Sequence, residues 1–225
     1  MVGLRAKAFL AGAAVLCAGG LILALSVAGQ AAAGSGPTCH GRAATIVGTP
    51  REDVFLQDEI SDGDVLVLWG DGDRVESEAR NVTVCGGAGA DDITAHPGTT
   101  GRRTLFDGGR NDDLLDAHPG DIGVRAPVRF IGGPGDDSVV GGNADDRLKA
   151  GPADNRPGDL DRDYVRGERG ADLIKGGDGA DRLIGGPGND SIKGGRNSSR
   201  YGDFADGRRG RRDRCRAEVK RNCER

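Results

Sequence analysis

The chain has 225 residues, of which 41 are glycine and only 4% are aromatic, and its formal net charge is −4. A chain with this few large side chains can bury little apolar surface, and its many glycines lose more backbone entropy on folding than any other residue. This composition excludes an ordinary globular domain held by a large core. It leaves either a disordered chain or a fold that a bound metal stabilises.

Residues 1–33 are predicted to be a signal peptide. Arg5 and Lys7 precede a charge-free apolar stretch, 8–28, and an Ala-Ala-Ala cleavage site follows at 31–33. An uncleaved membrane anchor is the alternative, because the apolar stretch is long enough to span a bilayer. We favour cleavage, since small residues dominate after Leu25. The prediction is a secreted, extracellular protein that has no membrane attachment once the signal is removed.

Residues 34–131 are interpreted as a degenerate β-solenoid of wide coils. Segments 82–98, 104–120 and 128–142 share one order: a strand, a Gly-Gly turn, an aspartate and a second short strand. Asp91 and Asp113 hold the sixth position of the first two turns, and apolar residues recur at fixed places around them. Segment 48–56, with Asp53, and the apolar run 65–69 look like degenerate versions of the same unit.

Between 132 and 193 the chain repeats in nines, interrupted only by the irregular segment 150–157. The eighth position is always Val, Leu or Ile. The sixth position is always aspartate: Asp137, Asp146, Asp163, Asp172, Asp181 and Asp190. A flexible Gly/Asp-rich spacer is the alternative, but a spacer has no reason to fix residue types at these positions. Segment 150–157 is one residue short of a repeat, which leaves continuity across it open.

These nonapeptides resemble the G-G-x-G-x-D-x-U-x repeat of RTX, or haemolysin-type, calcium-binding proteins. The resemblance implies an all-β fold, a right-handed parallel β-roll or β-solenoid, in which residues 18 apart stack and calcium lies between stacked turns. It pairs Asp163 with Asp181, and Asp172 with Asp190. Segments 38–50 and 84–87 also resemble secreted actinobacterial calcium-binding proteins, which carry a disulfide between equivalent cysteines ahead of the repeats.

Calcium is a hard cation that takes six to eight oxygen ligands, and the repeat can offer both carboxylates and backbone carbonyls. The candidate carboxylate ligands are Asp91, Asp113, Asp137, Asp146, Asp163, Asp172, Asp181 and Asp190. Glycines permit tight turns with positive φ. Carbonyl support is expected around Gly170, Gly177, Gly179, Gly186 and Gly188. Whether the wide coils bind calcium stays open at this point.

Residues 132–202 are predicted to be the calcium roll with a terminal turn, and 203–225 a basic tail with a short helix. The terminal turn, 194–202, has Ser199 where aspartate is expected, so it is interpreted as a cap without a ligand. Residues 194–225 hold 11 basic and 5 acidic residues. The tail is interpreted as a solvated basic helix. The alternative is a clamp on anionic cell-wall polymer or on the acidic roll.

Export leaves four cysteines, Cys39, Cys85, Cys215 and Cys223, in an oxidising compartment. Three pairings are possible. We favour Cys39–Cys85 and Cys215–Cys223, because the last two are close in sequence. A metal–thiolate site is the alternative, although no C-x-x-C spacing supports it.

The sequence carries no H-E-x-x-H or G-x-S-x-G motif, and no basic-aromatic pattern typical of nucleic-acid binding. We expect a secreted, non-enzymatic protein whose roll folds on binding Ca²⁺ outside the cell. The alternative is a carbohydrate-active or cell-surface adhesion solenoid that uses calcium for structure. Beyond calcium, the expected partner class is an anionic cell-wall polymer or polysaccharide.

Overall fold

A computed structural model describes residues 36–118, 123–152, 161–196, 202–208 and 212–223 of the chain. These residues form twenty β-strands and one short 3-10 helix, Gln57–Glu59. The predicted signal peptide lies outside the described residues. No helix within the described ranges is long and apolar enough to cross a membrane.

Eighteen of the strands form two nine-stranded parallel sheets, and successive strands alternate between the two. The first sheet holds β3 (Ile46–Val47), β5 (Val65–Val67), β7 (Thr83–Ala88), β9 (Leu105–Arg110), β11 (Arg129–Ile131), β13 (Arg147–Lys149), β15 (Leu173–Asp178), β17 (Ser191–Arg196) and β19 (Arg214–Arg216). The second sheet holds β4 (Val54–Phe55), β6 (Arg74–Ser77), β8 (Asp92–Ala95), β10 (Leu114–Asp116), β12 (Ser138–Val140), β14 (Tyr164–Arg166), β16 (Arg182–Gly186), β18 (Phe204–Arg208) and β20 (Val219–Arg221). Each coil therefore gives one strand to each sheet, which confirms the predicted all-β solenoid.

The core is a double column of apolar side chains between the two sheets. In a strand, successive side chains point to opposite faces, so these short strands each offer about one side chain to the interior. The first sheet buries Leu66, Val84, Phe106, Phe130, Leu148, Ile174, Ile192 and Cys215. The second sheet buries Val75, Ile93, Leu115, Val139, Val165, Leu183 and Ala205. The largest side chains lie in the N-terminal half, where the Phe106 and Phe130 rings are 5.3 Å apart.

A small antiparallel hairpin, β1 (Thr38–Cys39) and β2 (Arg42–Ala43), lies beside the N-terminal coils. A disulfide joins Cys39 to Cys85 on β7, with the Cα atoms 5.8 Å apart. Cys39 packs with Val65 and Val67 in a second apolar cluster. The hairpin therefore covers the outer face of the first sheet at its N-terminal end.

Both sheets continue across segment 150–157. Val139 on β12 pairs with Val165 on β14, and Leu148 on β13 pairs with Ile174 on β15. The register places Ala150 and Gly151 in line with Gly176 and Gly177 of the next coil, so the turn begins there. Residues 153–160 lie outside the described residues, and the described strands on either side continue both sheets in register.

The helix expected in the tail is wrong. Residues 203–225 contribute β18, β19 and β20, which extend both sheets. Ala205 lies in register with Leu183, and Cys215 with Ile192, so both continue the apolar columns. A helix would lose the parallel strand pairing and the inward position of these two side chains. The second disulfide, Cys215–Cys223, lies within this last part of the solenoid.

Candidate metal centre

Acidic side chains form two columns along the solenoid, each just before a strand. We call the edge at which the chain passes from the first sheet to the second the first edge. The edge at which it returns to the first sheet is the second edge. The first-edge column holds Asp53, Asp73, Asp91, Asp113, Asp137, Asp163, Asp181, Asp203 and Glu218. The second-edge column holds Asp146, Asp172, Asp190 and Asp213. The wide coils thus keep the column at the first edge, while their additional residues lie at the second.

Within each column, the carboxylates form a hydrogen-bonded ladder. One carboxylate oxygen, Oδ1, accepts the backbone N–H of the corresponding aspartate one coil earlier. The Asp163 N–H donates to Asp181 Oδ1 at 3.2 Å, and the Asp172 N–H donates to Asp190 Oδ1 at 2.9 Å. The structure therefore stacks the two aspartate pairs that the 18-residue spacing predicted. Asp137 stacks on Asp163 in the same way, at a distance of 2.9 Å and a separation of 26 residues.

The second oxygen of most ladder carboxylates, Oδ2, is buried and has no hydrogen-bond donor. This holds for Asp73, Asp91, Asp113, Asp137, Asp163, Asp172, Asp181, Asp190 and Asp213. An unpaired buried acceptor costs free energy, and a buried carboxylate costs more. Nine such oxygens aligned along two edges of one solenoid indicate positions at which a cation would supply the missing partner.

Each Oδ2 faces a turn whose first residue is usually glycine. A Cβ added at Gly86 would overlap both Asp91 Oδ2 and the carbonyl oxygen of Gly108 in the next coil. The same holds at Gly167, where the added atom would overlap Asp172 Oδ2 and lie 2.6 Å from Gly185 O. The space that glycine leaves open is therefore bordered by a carboxylate oxygen and a carbonyl oxygen.

The remaining turn glycines allow neighbouring coils to approach closely. Gly170, Gly177, Gly179 and Gly186 have φ between 120° and 142°, a conformation that favours glycine. A Cβ at Gly188 would overlap the carbonyl oxygen of Gly170, although Gly188 is not among the positive-φ glycines. Carbonyl oxygens of one coil thus lie directly against the glycines of the next.

Burial raises the pKa of the ladder carboxyls far above the usual value for aspartate. The pKa is about 9 for Asp163, about 8 for Asp113, Asp137 and Asp172, and about 6 for Asp91. Loss of hydration is the largest cause in each case. The ladder N–H bond offsets part of the increase, and neighbouring carboxylates commonly raise the pKa further. Without a cation, the fold thus disfavours the charged form of its own side chains.

The residues present fit a calcium ion better than a transition metal. The donors are hard oxygens from carboxylates and backbone carbonyls, which is the ligand chemistry of calcium. Within the described residues, the group of three His, Cys, Asp or Glu side chains whose ligand atoms lie within 4.8 Å of one another is Cys39, His40 and Cys85, so an ion at the columns would take most of its ligands from backbone carbonyls. Its two sulfurs form a disulfide, and His40 Nε2 lies 2.6 Å from Asp107 Oδ2. The metal–thiolate alternative therefore fails.

Two members of the columns already have donors for both carboxylate oxygens. Asp146 Oδ2 accepts the Gly142 N–H at 2.6 Å, and its Oδ1 accepts the Val128 N–H at 2.9 Å. Asp53 accepts hydrogen bonds from the backbone and hydroxyl of Thr49. Asp146 was a predicted ligand, and each of its oxygens keeps a lone pair that could bind an ion beside the N–H it accepts.

Sequence reasoning missed four column members: Asp73, Asp203, Asp213 and Glu218. Ser199, interpreted as the acid-free sixth position of a cap, lies outside the described residues, and Asp203 takes the column position instead. Asp213 follows Asp190 with a 2.9 Å ladder bond. The signal that could have found three of them is the Asp-x-apolar order, which recurs in Asp73-Arg74-Val75, Asp203-Phe204-Ala205 and Asp213-Arg214-Cys215.

Comparison with known families supports the same assignment. A family model of RTX calcium-binding nonapeptide repeats, in four copies, matches residues 129–156 and 157–195. No curated protein and no solved structure matches the chain. The matched residues contain six of the aspartates described above, on both edges of the solenoid. Residues 129–195 of the chain therefore carry RTX-type calcium-binding nonapeptide repeats.

Proposed function

We propose that this protein is a secreted, non-enzymatic calcium-binding protein whose solenoid folds when Ca²⁺ binds outside the cell. The observation that carries the proposal is the pair of buried aspartate columns, with Oδ2 atoms that lack a donor and face glycine-lined turns. The proposed carboxylate ligands are Asp91, Asp113, Asp137, Asp163, Asp172, Asp181 and Asp190, joined by Asp73 and Asp213. Asp146, whose Oδ2 also accepts the Gly142 N–H, is a further candidate ligand.

The columns explain why folding would depend on the ion. Strands in a sheet are about 4.8 Å apart, so each coil adds a buried carboxylate close to the one before it. Like charges at this distance repel, and burial removes the water that would screen them. When bound, Ca²⁺ supplies the positive charge that these oxygens lack. The core contributes only one narrow double column of apolar side chains, so it offsets little of this cost.

Secretion is supported by the predicted signal peptide in residues 1–33 and by the two disulfides. Free calcium is scarce in the cytosol, so the acidic chain would stay unfolded until export. Ion binding would then provide the folding free energy, as in other small metal-dependent domains. The lack of a recognisable catalytic motif in the sequence supports a non-enzymatic role.

The test is a calcium titration of the chain from Gly34 to Arg225 at pH 7. Far-ultraviolet circular dichroism and the hydrodynamic radius are measured in chelator, in millimolar calcium and in millimolar magnesium. We expect an expanded, disordered chain in chelator, and β signal with compaction only when calcium is added. A spectrum and radius that do not change with calcium would contradict the proposal. An equal response to magnesium would contradict the assigned ion.

A further inference from the structure

Both ends of the solenoid present strand edges that have no partner strand in the described chain. β3 and β4 are the outermost strands at the N-terminal end, and β19 and β20 are the outermost strands at the C-terminal end. Each of them pairs with a single described strand, so one side of its backbone is open. The hairpin of β1 and β2 packs against Val65 and Val67 and does not pair with β3 or β4. A further coil could therefore stack on either end along the solenoid axis.

Apolar side chains are exposed at both ends, in matching positions of the second sheet. Val54 of β4 and Val219 of β20 are 50% and 54% exposed. The strand register runs in one row from Val54 to Val219, so the two valines hold the same position in the first and the last coil. In the neighbouring row, Phe55 begins the inward column and is only partly buried, and the exposed Lys220 holds the inward position of the last coil. A coil added in register at either end would cover these side chains.

The two ends carry opposite charge. The first coil, 45–64, holds six acidic residues and one basic residue. The last described segment, 212–223, holds five basic residues, all exposed, and two acidic residues. Charged side chains often protect an open strand edge from pairing, and like charges at both ends would serve that purpose best. Opposite charges instead attract one end of the solenoid to the other end of a second copy.

The acidic column at the first edge also ends in complementary hydrogen-bonding groups. Asp53 is its first member, and among the described residues its Oδ1 accepts only the Thr49 hydroxyl, at 3.3 Å, because no coil precedes it in the column. Glu218 is the last member, and its carboxylate accepts the Asp203 N–H at 2.9 Å. The N–H of Glu218 has no following coil among the described residues to accept it. The Asp53 carboxylate of a second copy, stacked in register, would be the next acceptor of the ladder.

We propose that the protein assembles head to tail, with the first coil of one copy stacked on the last coil of another. β4 then pairs with β20 of the second copy, and β3 pairs with its β19. Continuing the register places Val54 beside Val219 and Phe55 over Lys220, whose stem and charge can both contact the ring. A second copy is the partner that offers two parallel strands, the ladder acceptor and the opposite charge together. The contact joins two different surfaces, so it can repeat into an open filament along the solenoid axis.

The test is sedimentation velocity of the chain from Gly34 to Arg225, at increasing protein concentration and in enough calcium to fold it fully. We expect the weight-average sedimentation coefficient to rise beyond that of a dimer, and the association to weaken as salt is added. Val54→Lys places a cation against the basic last coil, and Val219→Glu places an anion against the acidic first coil. Each should weaken self-association about tenfold or more. Leu114→Lys is the matched control, because Leu114 is 41% exposed in the same row but lies in the middle of the solenoid, and it should change association less than about twofold.

A mixture of the two end variants tests the polarity of the contact. Val54→Lys keeps its C-terminal end and Val219→Glu keeps its N-terminal end, so together they should form dimers and nothing larger. Circular dichroism of the same samples separates this inference from the calcium proposal, because folding in calcium does not require association. Folded wild-type protein that sediments as a monomer at every concentration would overturn the inference and show that the charges only protect the edges. A mixture that forms no dimers would overturn it as well, and so would equal loss of association in Leu114→Lys.

Discussion

Replacing Asp172 by asparagine should separate the metal-binding role of a column carboxylate from its structural role. Asp172 Oδ1 accepts the Asp146 N–H at 2.9 Å, and the amide oxygen of asparagine can keep this bond. Oδ2 has no donor and borders the same space as the carbonyl oxygen of Gly185. The amide N–H₂ that replaces Oδ2 can donate to that carbonyl, so the variant satisfies the site without an ion.

The magnitude follows from the pKa of Asp172, which burial raises from 3.8 to about 8. Each pKa unit corresponds to about 1.4 kcal/mol between the two protonation states. At pH 7, folding without calcium must therefore protonate a carboxyl that is ionised in the unfolded chain, at a cost on the order of a few kcal/mol. Because asparagine avoids this cost, we expect Asp172→Asn to stabilise the calcium-free fold by about 1–3 kcal/mol.

The assay has two parts, in which the variant should fold more readily than the wild type without calcium and less readily in a calcium titration. In chelator, with enough osmolyte to fold about half of the wild-type protein, the folded fraction should rise in the variant. In a calcium titration, the folding midpoint should move to higher calcium and the bound stoichiometry should fall. Asp136→Asn is the matched control, since Asp136 is exposed and its Oδ1 also accepts a ladder-type bond, from the Arg162 N–H. Loss of stability in chelator with an unchanged calcium midpoint would refute the reasoning.

Three further predictions concern the whole fold. In chelator the ladder carboxyls, with a pKa raised from 3.8 to as high as about 9 at Asp163, bind more protons folded than unfolded, so circular dichroism should show most order below about pH 4 and a progressive loss towards pH 9. A rising signal with pH would contradict this. In calcium, Gly177→Ala should lower the free energy of unfolding in urea by more than about 2 kcal/mol, because φ is 142° and the new Cβ would lie 2.7 Å from a backbone carbonyl oxygen. Gly63 has a φ of 84° and open space around it, so Gly63→Ala should lower it by only about 1–2 kcal/mol. Similar costs at both glycines would show that coil stacking is looser than described. Ile174→Ala should cost about 2–5 kcal/mol by the same measurement, against less than about 1 kcal/mol for the outward Leu173→Ala.

The repeat allowed the sequence to predict much of the solenoid. A nine-residue period with aspartate at position six and an aliphatic residue at position eight indicates both the turn and the inward side chain, and the resemblance to RTX repeats implies stacking at 18 residues. Where the period changes, the prediction weakens. The eight additional residues near 150–157 shift the spacing between Asp137 and Asp163 to 26, but the ladder bond between them persists at 2.9 Å.

The tail was mispredicted because charge was given more weight than pattern. Its many arginines favour a solvated helix when composition alone is considered. The structure instead follows the alternation, in which Ala205 and Cys215 point inward and the arginines beside Cys215 point outward. The alignment of basic side chains on the first sheet is hidden in the sequence for a related reason. Lys149, Lys175 and Lys193 are 18 to 26 residues apart in sequence, and only the sheet register brings them into one row.

The two halves of the solenoid should differ in how strongly they depend on calcium. The N-terminal coils carry a column at the first edge only, bury Phe106 and Phe130, and are cross-linked by Cys39–Cys85. The coils from Gly141 onward carry columns at both edges and bury only smaller side chains. More buried charge and less apolar burial give these later coils less stability of their own.

Hydrogen exchange during stepwise withdrawal of calcium measures this difference. We expect amides of β13 to β17 to lose protection at higher free calcium than amides of β5 to β9, because each later coil loses two ion-dependent turns and each earlier coil loses one. Reduction of the disulfides is the control. Reduction should weaken the N-terminal coils and so bring the calcium midpoints of the two halves closer together. The difference in midpoint that remains should reflect the acidic columns and the two buried phenylalanines. A single midpoint for all amides, with the disulfides intact, would mean that the solenoid folds as one cooperative unit and that the arrangement of the columns does not set the order.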